Sequence, residues 1–205
     1  FQDLYITLII GHVFAHDQKH AILRYKENDT IANVKVLRLN NNFYDTIFSI
    51  RLFPVNTGAL GDLIQIQDYN GDKIPDLKIV KEFWDIHPGD ISLLWIYNRD
   101  RFQSIKGFEK IISAQYDEKT NLIYSYRSRG CADMSMYFGI FKIVGRQVKK
   151  IKEMNCDCCV EEGDSCKIEI LGKRSFYVPY KTAYEFVPAY YAEGVKEKCD
   201  MNIKK

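Results

Sequence analysis

The sequence predicts an all-β protein of antiparallel sheets, and three observations carry that expectation. Turn signals recur every 8–12 residues along most of the chain, the spacing of hairpins in a sandwich, a barrel or a small propeller. Segments between the turns are rich in β-branched and aromatic residues; fourteen tyrosines and twelve phenylalanines are enough to furnish many strands. No segment longer than about two turns shows sustained 3.6-residue periodicity, so long helices are not expected.

The elements follow in order. Leu4–His16 and Ala21–Tyr25 read as strands with a turn at Asp17-Gln18-Lys19. Ile31–Leu39 alternates and stops at Asn40-Asn41-Asn42; Thr46–Phe53 stops at Pro54. Leu63–Gln67 and Leu77–Phe83 flank an acidic loop, and Ser92–Tyr97 is an apolar strand centred on Trp95. Asn98-Arg99-Asp100-Arg101 is a polar turn before a new start at Phe102. Ile111–Tyr116 with Leu122–Arg127, Met136–Val144 with Val148–Met154, and Cys166–Leu171 with Ser175–Tyr180 read as three hairpins. Residues 1–154 are expected to form the β domain. Residues 155–205 read as a cysteine-rich C-terminal extension packed on it.

Bulk properties narrow the function. At 205 residues the chain suffices for one sizeable domain, and a net charge of +2 offers no nucleic-acid surface. Lys149, Lys150, Lys152, Lys204 and Lys205 read as solvated charges. No apolar run reaches the length of a membrane span. The chain begins at Phe1 without a basic leader, which reads as a processed N-terminus.

Six cysteines, five of them in the last quarter, point to disulfides and an oxidising compartment. Cys131, Cys156, Cys158, Cys159, Cys166 and Cys199 are the candidates, with Cys159–Cys166 the favoured local pair. The competing reading is zinc held by Cys156, Cys158, Cys159 and Cys166, although the spacing lacks the paired C-x₂₋₄-C pattern.

The most informative stretch is Asp68-Tyr69-Asn70-Gly71-Asp72-Lys73-Ile74-Pro75-Asp76. Oxygen-bearing side chains fall at positions 1, 3, 5 and 9, and the Ile74 carbonyl at position 7 can add another. A hard cation such as calcium takes about six to eight oxygens at about 2.3–2.6 Å. Asp68, Asn70, Asp72, Ile74 and Asp76 are therefore the candidate ligands of a structural calcium ion. Flanking strands argue against an EF-hand, as do Lys73 where glycine is usual and Ile79 where the bidentate glutamate would stand. The plainer reading is an Asn-Gly turn with solvated acids, in which an acid at position 9 has no use.

Other candidates are weaker. His12, His16 and His20 would align on a helix as zinc ligands, but their surroundings are strand-like. No nucleophile elbow, zincin motif or phosphate-cradling loop is present, so no catalytic residues are assigned. Asp133 and Asp85 are the carboxylates a glycosidase reading would need. Asn28-Asp29-Thr30 is a glycosylation sequon, relevant in a eukaryotic secretory pathway.

The order of these pieces resembles a family. The acidic loop is followed by Trp95-Ile96-Tyr97-Asn98, then Ile112-Ser113-Ala114-Gln115-Tyr116-Asp117. Ile123-Tyr124-Ser125-Tyr126-Arg127-Ser128-Arg129-Gly130 comes next, and an aromatic strand at Tyr137–Phe141 closes the pattern. Over residues 30–154 this resembles the calcium-loop immunity and lysozyme-inhibitor proteins of the bacterial periplasm and, more distantly, the FG-GAP loops of integrin propellers. The cysteine-rich tail is outside that pattern. The resemblance implies a rigid, non-enzymatic β body in the periplasm or secreted. Such a body neutralises a peptidoglycan hydrolase or toxin effector through a loop with a Ser-Gly-type turn and a tyrosine. Ser128, Arg129, Gly130 and Tyr137 are the nearest counterparts. Chemistry supports the match: arginine pairs with carboxylates, and tyrosine adds contact area at low entropic cost. The alternatives are a cell-surface adhesion or glycan-binding module and a hydrolase of wall polymers.

Overall fold

The computed structural model describes residues 6–40, 43–53, 63–83, 89–159, 164–173 and 175–202. The described residues are mostly β, as expected, in three open antiparallel sheets. The chain divides into two compact units. One comprises Phe1–Phe83, Asp90–Lys110 and Gly145–Gln147; the other comprises Trp84–Gly89, Ile111–Val144 and Val148–Lys205.

The first unit is a sandwich of two meanders. Strands β1 (Ile6–Gly11), β2 (His20–Asn28), β3 (Ile31–Asn40) and β4 (Phe43–Leu52) pair in chain order. So do β5 (Ile64–Gln67), β6 (Asp76–Phe83), β7 (Asp90–Asn98) and β8 (Arg101–Ser104). Alternation in β2 and β3 sends Ile22, Val34 and Val36 inward, where they meet Leu77, Ile79, Trp95 and Tyr97 of the second sheet. Aromatic rings close the core, with Phe48 5.0 Å from both Trp95 and Phe102. The expected strand Leu4–His16 is shorter than its composition suggested. It ends at Gly11, and Phe14 turns into the core, 5.0 Å from Tyr97.

A buried arginine ties the two sheets, and a buried lysine links strands of the second. Arg24 donates from Nη1 to the carbonyls of Leu63, at 3.2 Å, and Val80, at 2.9 Å. The register between β6 and β7 shifts just past Val80, so this arginine serves carbonyls beside an irregularity in the ladder. Lys78 is fully buried, its Nζ 3.2 Å from both Asp90 and Gln65.

The second unit holds a six-stranded sheet in the order β14-β13-β12-β11-β10-β9. Its strands are β9 (Gln115–Asp117), β10 (Leu122–Ser128), β11 (Ser135–Val144), β12 (Gln147–Asp157), β13 (Ser165–Ile170) and β14 (Ser175–Pro179). The expected strand Ile111–Tyr116 shrinks to β9. A 3-10 turn at Phe108–Lys110 and a positive φ at Ser113 keep the preceding residues out of the ladder. Next come a 3-10 segment, Tyr180–Phe186, and one fourteen-residue helix, α1 (Ala189–Asn202). This helix departs from the all-strand expectation for the tail. It starts just after Pro188, and it packs Tyr191, Ala192, Val195 and Cys199 onto Met136, Phe138, Met154 and Ile168. The tail therefore forms strands, a 3-10 segment and the helix that completes this core.

Candidate functional site

Two loops carry the candidate chemistry, one in each unit. The acidic loop joins β5 to β6. Asp68 caps its first turn: Oδ1 accepts from Asn70 N at 3.0 Å and Gly71 N at 2.7 Å, and Oδ2 accepts from Lys73 N at 2.8 Å. Asn70 Oδ1 accepts from Asp72 N at 2.9 Å, and Asp72 Oδ1 accepts from Ile74 N at 2.8 Å. These bonds curl the backbone tightly. Lys73 sits in the left-handed region, φ 67°, the conformation that glycine ordinarily supplies at this point of such loops.

Asp76, the ninth residue of the loop, is fully buried. Its Oδ2 accepts from Tyr69 N at 2.8 Å and its Oδ1 from Tyr97 N at 3.0 Å, so one carboxyl joins the loop to β7. Burial, against the pull of those two N–H groups and with smaller pushes from the charges of Asp72 and Asp68, raises this carboxyl to about 7. Three carboxylates, one amide oxygen and a backbone carbonyl are donor types that a hard cation takes, but here the oxygens of Asp68 and Asp76 accept from backbone N–H groups, and the carboxylates of Asp68, Asp72 and Asp76 do not converge within 4.8 Å of one another. Asp68 and Asn70 are half-buried, while Asp72 and Ile74 are exposed.

The second loop links β10 to β11. Gly130, Cys131, Ala132 and Asp133 have φ of 107°, 57°, 49° and 69°. Three consecutive non-glycine residues in the left-handed region cost about 1–2 kcal/mol each. The surroundings over-determine the turn. Cys131 is disulfide-bonded to Cys159. Arg129 N donates to Ser135 O at 2.7 Å, Met134 N to Cys131 O at 3.0 Å, and Cys158 N to Met134 O at 3.0 Å. Asp133 accepts from Tyr126 Oη and forms an ion pair with Lys198 of α1. Burial by itself would raise the Asp133 carboxyl, but the bonds from Lys198, Tyr126 and Ser128 outweigh it and hold the group below the usual range. Arg129, Cys131 and Ala132 stand exposed on this braced turn.

Tyr137 lies apart from the turn. It is on β11, opposite Arg127 of β10, whose guanidinium carbon is 5.0 Å from the tyrosine ring centre. Its hydroxyl donates to Glu153 Oε1 at 2.7 Å. Ser128, Arg129 and Gly130 are contiguous, and Tyr137 belongs to the neighbouring sheet face.

The other sequence candidates resolve as follows. The disulfides are Cys131–Cys159 and Cys158–Cys166; the expected Cys159–Cys166 pair is replaced because Cys158 lies opposite Cys166 across β12 and β13, while Cys159 turns toward the left-handed loop. Cys156 and Cys199 are free and buried, which corrects their place among the disulfide candidates. Cys156 points into the core with Cys166 and Ile168. Among the described residues, the ligand atoms that converge within 4.8 Å of one another are the sulfurs of Cys156, Cys158 and Cys166. His12 and His16 are exposed while His20 is fully buried against Phe14, and the three lie on the segment after β1 and the start of β2, with no helix to align them. Asp133 is committed to Lys198, and Asp85 lies outside the described residues. The braces of the second loop were not read from the sequence, since Lys198 and Asp133 are 65 residues apart and no local pattern links them.

No protein-family model matches the chain, and no curated protein matches it. Among solved structures it is similar to a Xanthomonas type IV secretion system related protein. The TM-score is 0.51 at 14% identity, over 86% of this chain and 94% of that one. At that identity the likeness speaks for the fold.

Proposed function

We propose that this chain is a non-enzymatic envelope protein, periplasmic or secreted, that binds and inhibits a peptidoglycan-degrading enzyme or toxin effector. A calcium ion held by Asp68, Asn70, Asp72, the Ile74 carbonyl and Asp76 stabilises its first unit. The observation that carries the reading is the braced left-handed turn. Backbone strain held by a disulfide, an ion pair and backbone bonds is how proteins pre-organise a recognition element. Its exposed charged side chain is Arg129, which suits the two carboxylates a glycosidase presents in its cleft.

Three further facts support the proposal. Two disulfides fit an oxidising compartment. No described helix is long and apolar enough to cross a membrane. The fold is similar to that of a protein described as type IV secretion system related.

The test is inhibition. The protein is mixed with a panel of lysozymes and with peptidoglycan hydrolases encoded beside it, and wall lysis is followed by turbidity. Inhibition of at least one enzyme is expected, with Arg129→Ala weakening it roughly 10–100-fold. Undiminished lysis by every enzyme, with no complex on size-exclusion chromatography, overturns the proposal. Binding to a glycan array instead would move the chain to the adhesion class.

A further inference from the structure

The second unit keeps two thiols beside a disulfide. Cys156 on β12 and Cys199 on α1 are both buried and free, and both belong to the core that contains Cys166. Cys156 Sγ lies 3.8 Å from Cys158 Sγ, and the sulfurs of Cys156, Cys158 and Cys166 all lie within 4.8 Å of one another. A tetrahedral thiolate site with a metal–sulfur distance of about 2.3 Å has sulfur–sulfur edges of about 3.8 Å.

We propose that, once the Cys158–Cys166 disulfide is reduced, Cys156, Cys158 and Cys166 supply three thiolate ligands to one soft or borderline metal ion such as zinc. The site differs from the arrangement first read from the sequence. Cys159 leaves the set because it is bonded to Cys131.

The chemistry balances. A dithiol or phosphine reductant delivers two electrons, and with two protons the Cys158–Cys166 bond becomes two thiols, the reductant being oxidised. The metal then binds thiolates, and the thiol protons leave to solvent. In the oxidised protein Cys156 is a poor nucleophile. Burial pushes its thiol up to about 12, and Cys199 and Asp157 add to the shift. A cation at the centre of the cluster reverses that penalty, since it supplies the positive charge that the buried sulfurs lack. The disulfide and the metal are thus alternative occupants of the same sulfurs. The metal form belongs to the chain before its disulfides close. The inference is independent of the calcium loop, whose oxygen donors select hard cations.

The full chain is reduced anaerobically with a phosphine and titrated with cobalt(II) as a spectroscopic stand-in for zinc. One cobalt per reduced chain is expected, with the thiolate charge-transfer and ligand-field bands of a tetrahedral sulfur site, and no such bands in the oxidised chain. A Cys131→Ser, Cys159→Ser double variant should retain the bands. Cys156→Ser should weaken binding at least tenfold. Because a core variant can fail to fold, wild-type protein supplies a second readout. Zinc should slow iodoacetamide labelling of Cys156, Cys158 and Cys166 in the reduced chain, located by peptide mass mapping. Absent bands with unprotected thiols, bands that survive in a folded Cys156→Ser chain, or equal cobalt binding by the oxidised protein overturns the proposal.

Discussion

Two buried residues, Asp76 and His20, respond to pH in opposite senses. Asp76 titrates at about 7 in the fold, mainly because it is buried, against about 3.9 in the unfolded chain. The native state therefore binds the extra proton, and this group's contribution to stability is lost as pH rises from about 4 to about 7. A calcium ion that takes Asp76 as a ligand needs it ionised. Calcium is expected to bind more tightly at pH 8 than at pH 6 and to release protons, which calorimetry in buffers of different ionisation enthalpy measures. Binding with no proton release at either pH removes Asp76 from the ligand set. His20 behaves conversely. Burial lowers its imidazole below the ordinary value, Asp100 pulls it back up, and Arg38 and His12 push it down again. The unfolded chain binds the extra proton, so this stability is present above about pH 6.5 and is lost as pH falls below it. His20→Phe, in a site lined by Phe14 and Tyr97, is expected to lose less melting temperature than wild type between pH 7.5 and pH 5. An equal loss in both proteins would show that His20 carries no part of the acid sensitivity.

At the scale of elements, a turn and a helix depend on each other. The turn after β10 is held at one end by Cys131–Cys159 and at the other by the ion pair from Asp133 to Lys198 of α1. The bridged residues are 28 apart, and in the chain-entropy model opening such a loop costs about 3–4 kcal/mol. Cys131→Ser with Cys159→Ser should therefore lower stability to urea by that order. It should also weaken enzyme inhibition further than the stability loss requires, because three left-handed residues lose their clamp. Unchanged inhibition by a folded double variant would separate the turn from the inhibitory surface. Neither partner of this arrangement was legible beforehand. Gly130 signals a turn, but Cys131, Ala132 and Asp133 give no sequence cue to a left-handed run. The helix was missed for a similar reason: Gly194 and two tyrosines blur its pattern, although Tyr191, Val195 and Cys199 recur every four residues after Pro188.

For the molecule as a whole, the calcium proposal makes a stability prediction. An ion that binds only the folded state adds stability by mass action. EDTA is expected to lower the melting temperature relative to millimolar calcium, and Asp72→Ala should abolish the difference without removing the fold, since Asp72 is exposed. Superimposable melts of the wild-type protein in EDTA and in calcium would remove the ion.

The alternating strands, most of the turns between them and the acidic loop are legible in the chain's residue order alone. These rest on local rules: side-chain periodicity of two, turn residues at fixed offsets, and oxygen donors spaced along a few residues of backbone. Three-dimensional packing sets which cysteines pair, leaves Cys156 and Cys199 as buried thiols, puts Tyr137 on the sheet and not in the turn, and brings Lys198 to Asp133. Each of those outcomes depends on which side chains face one another across strands or from helix to turn. Contacts between residues far apart in sequence follow from packing a common core, and no short stretch of chain encodes them.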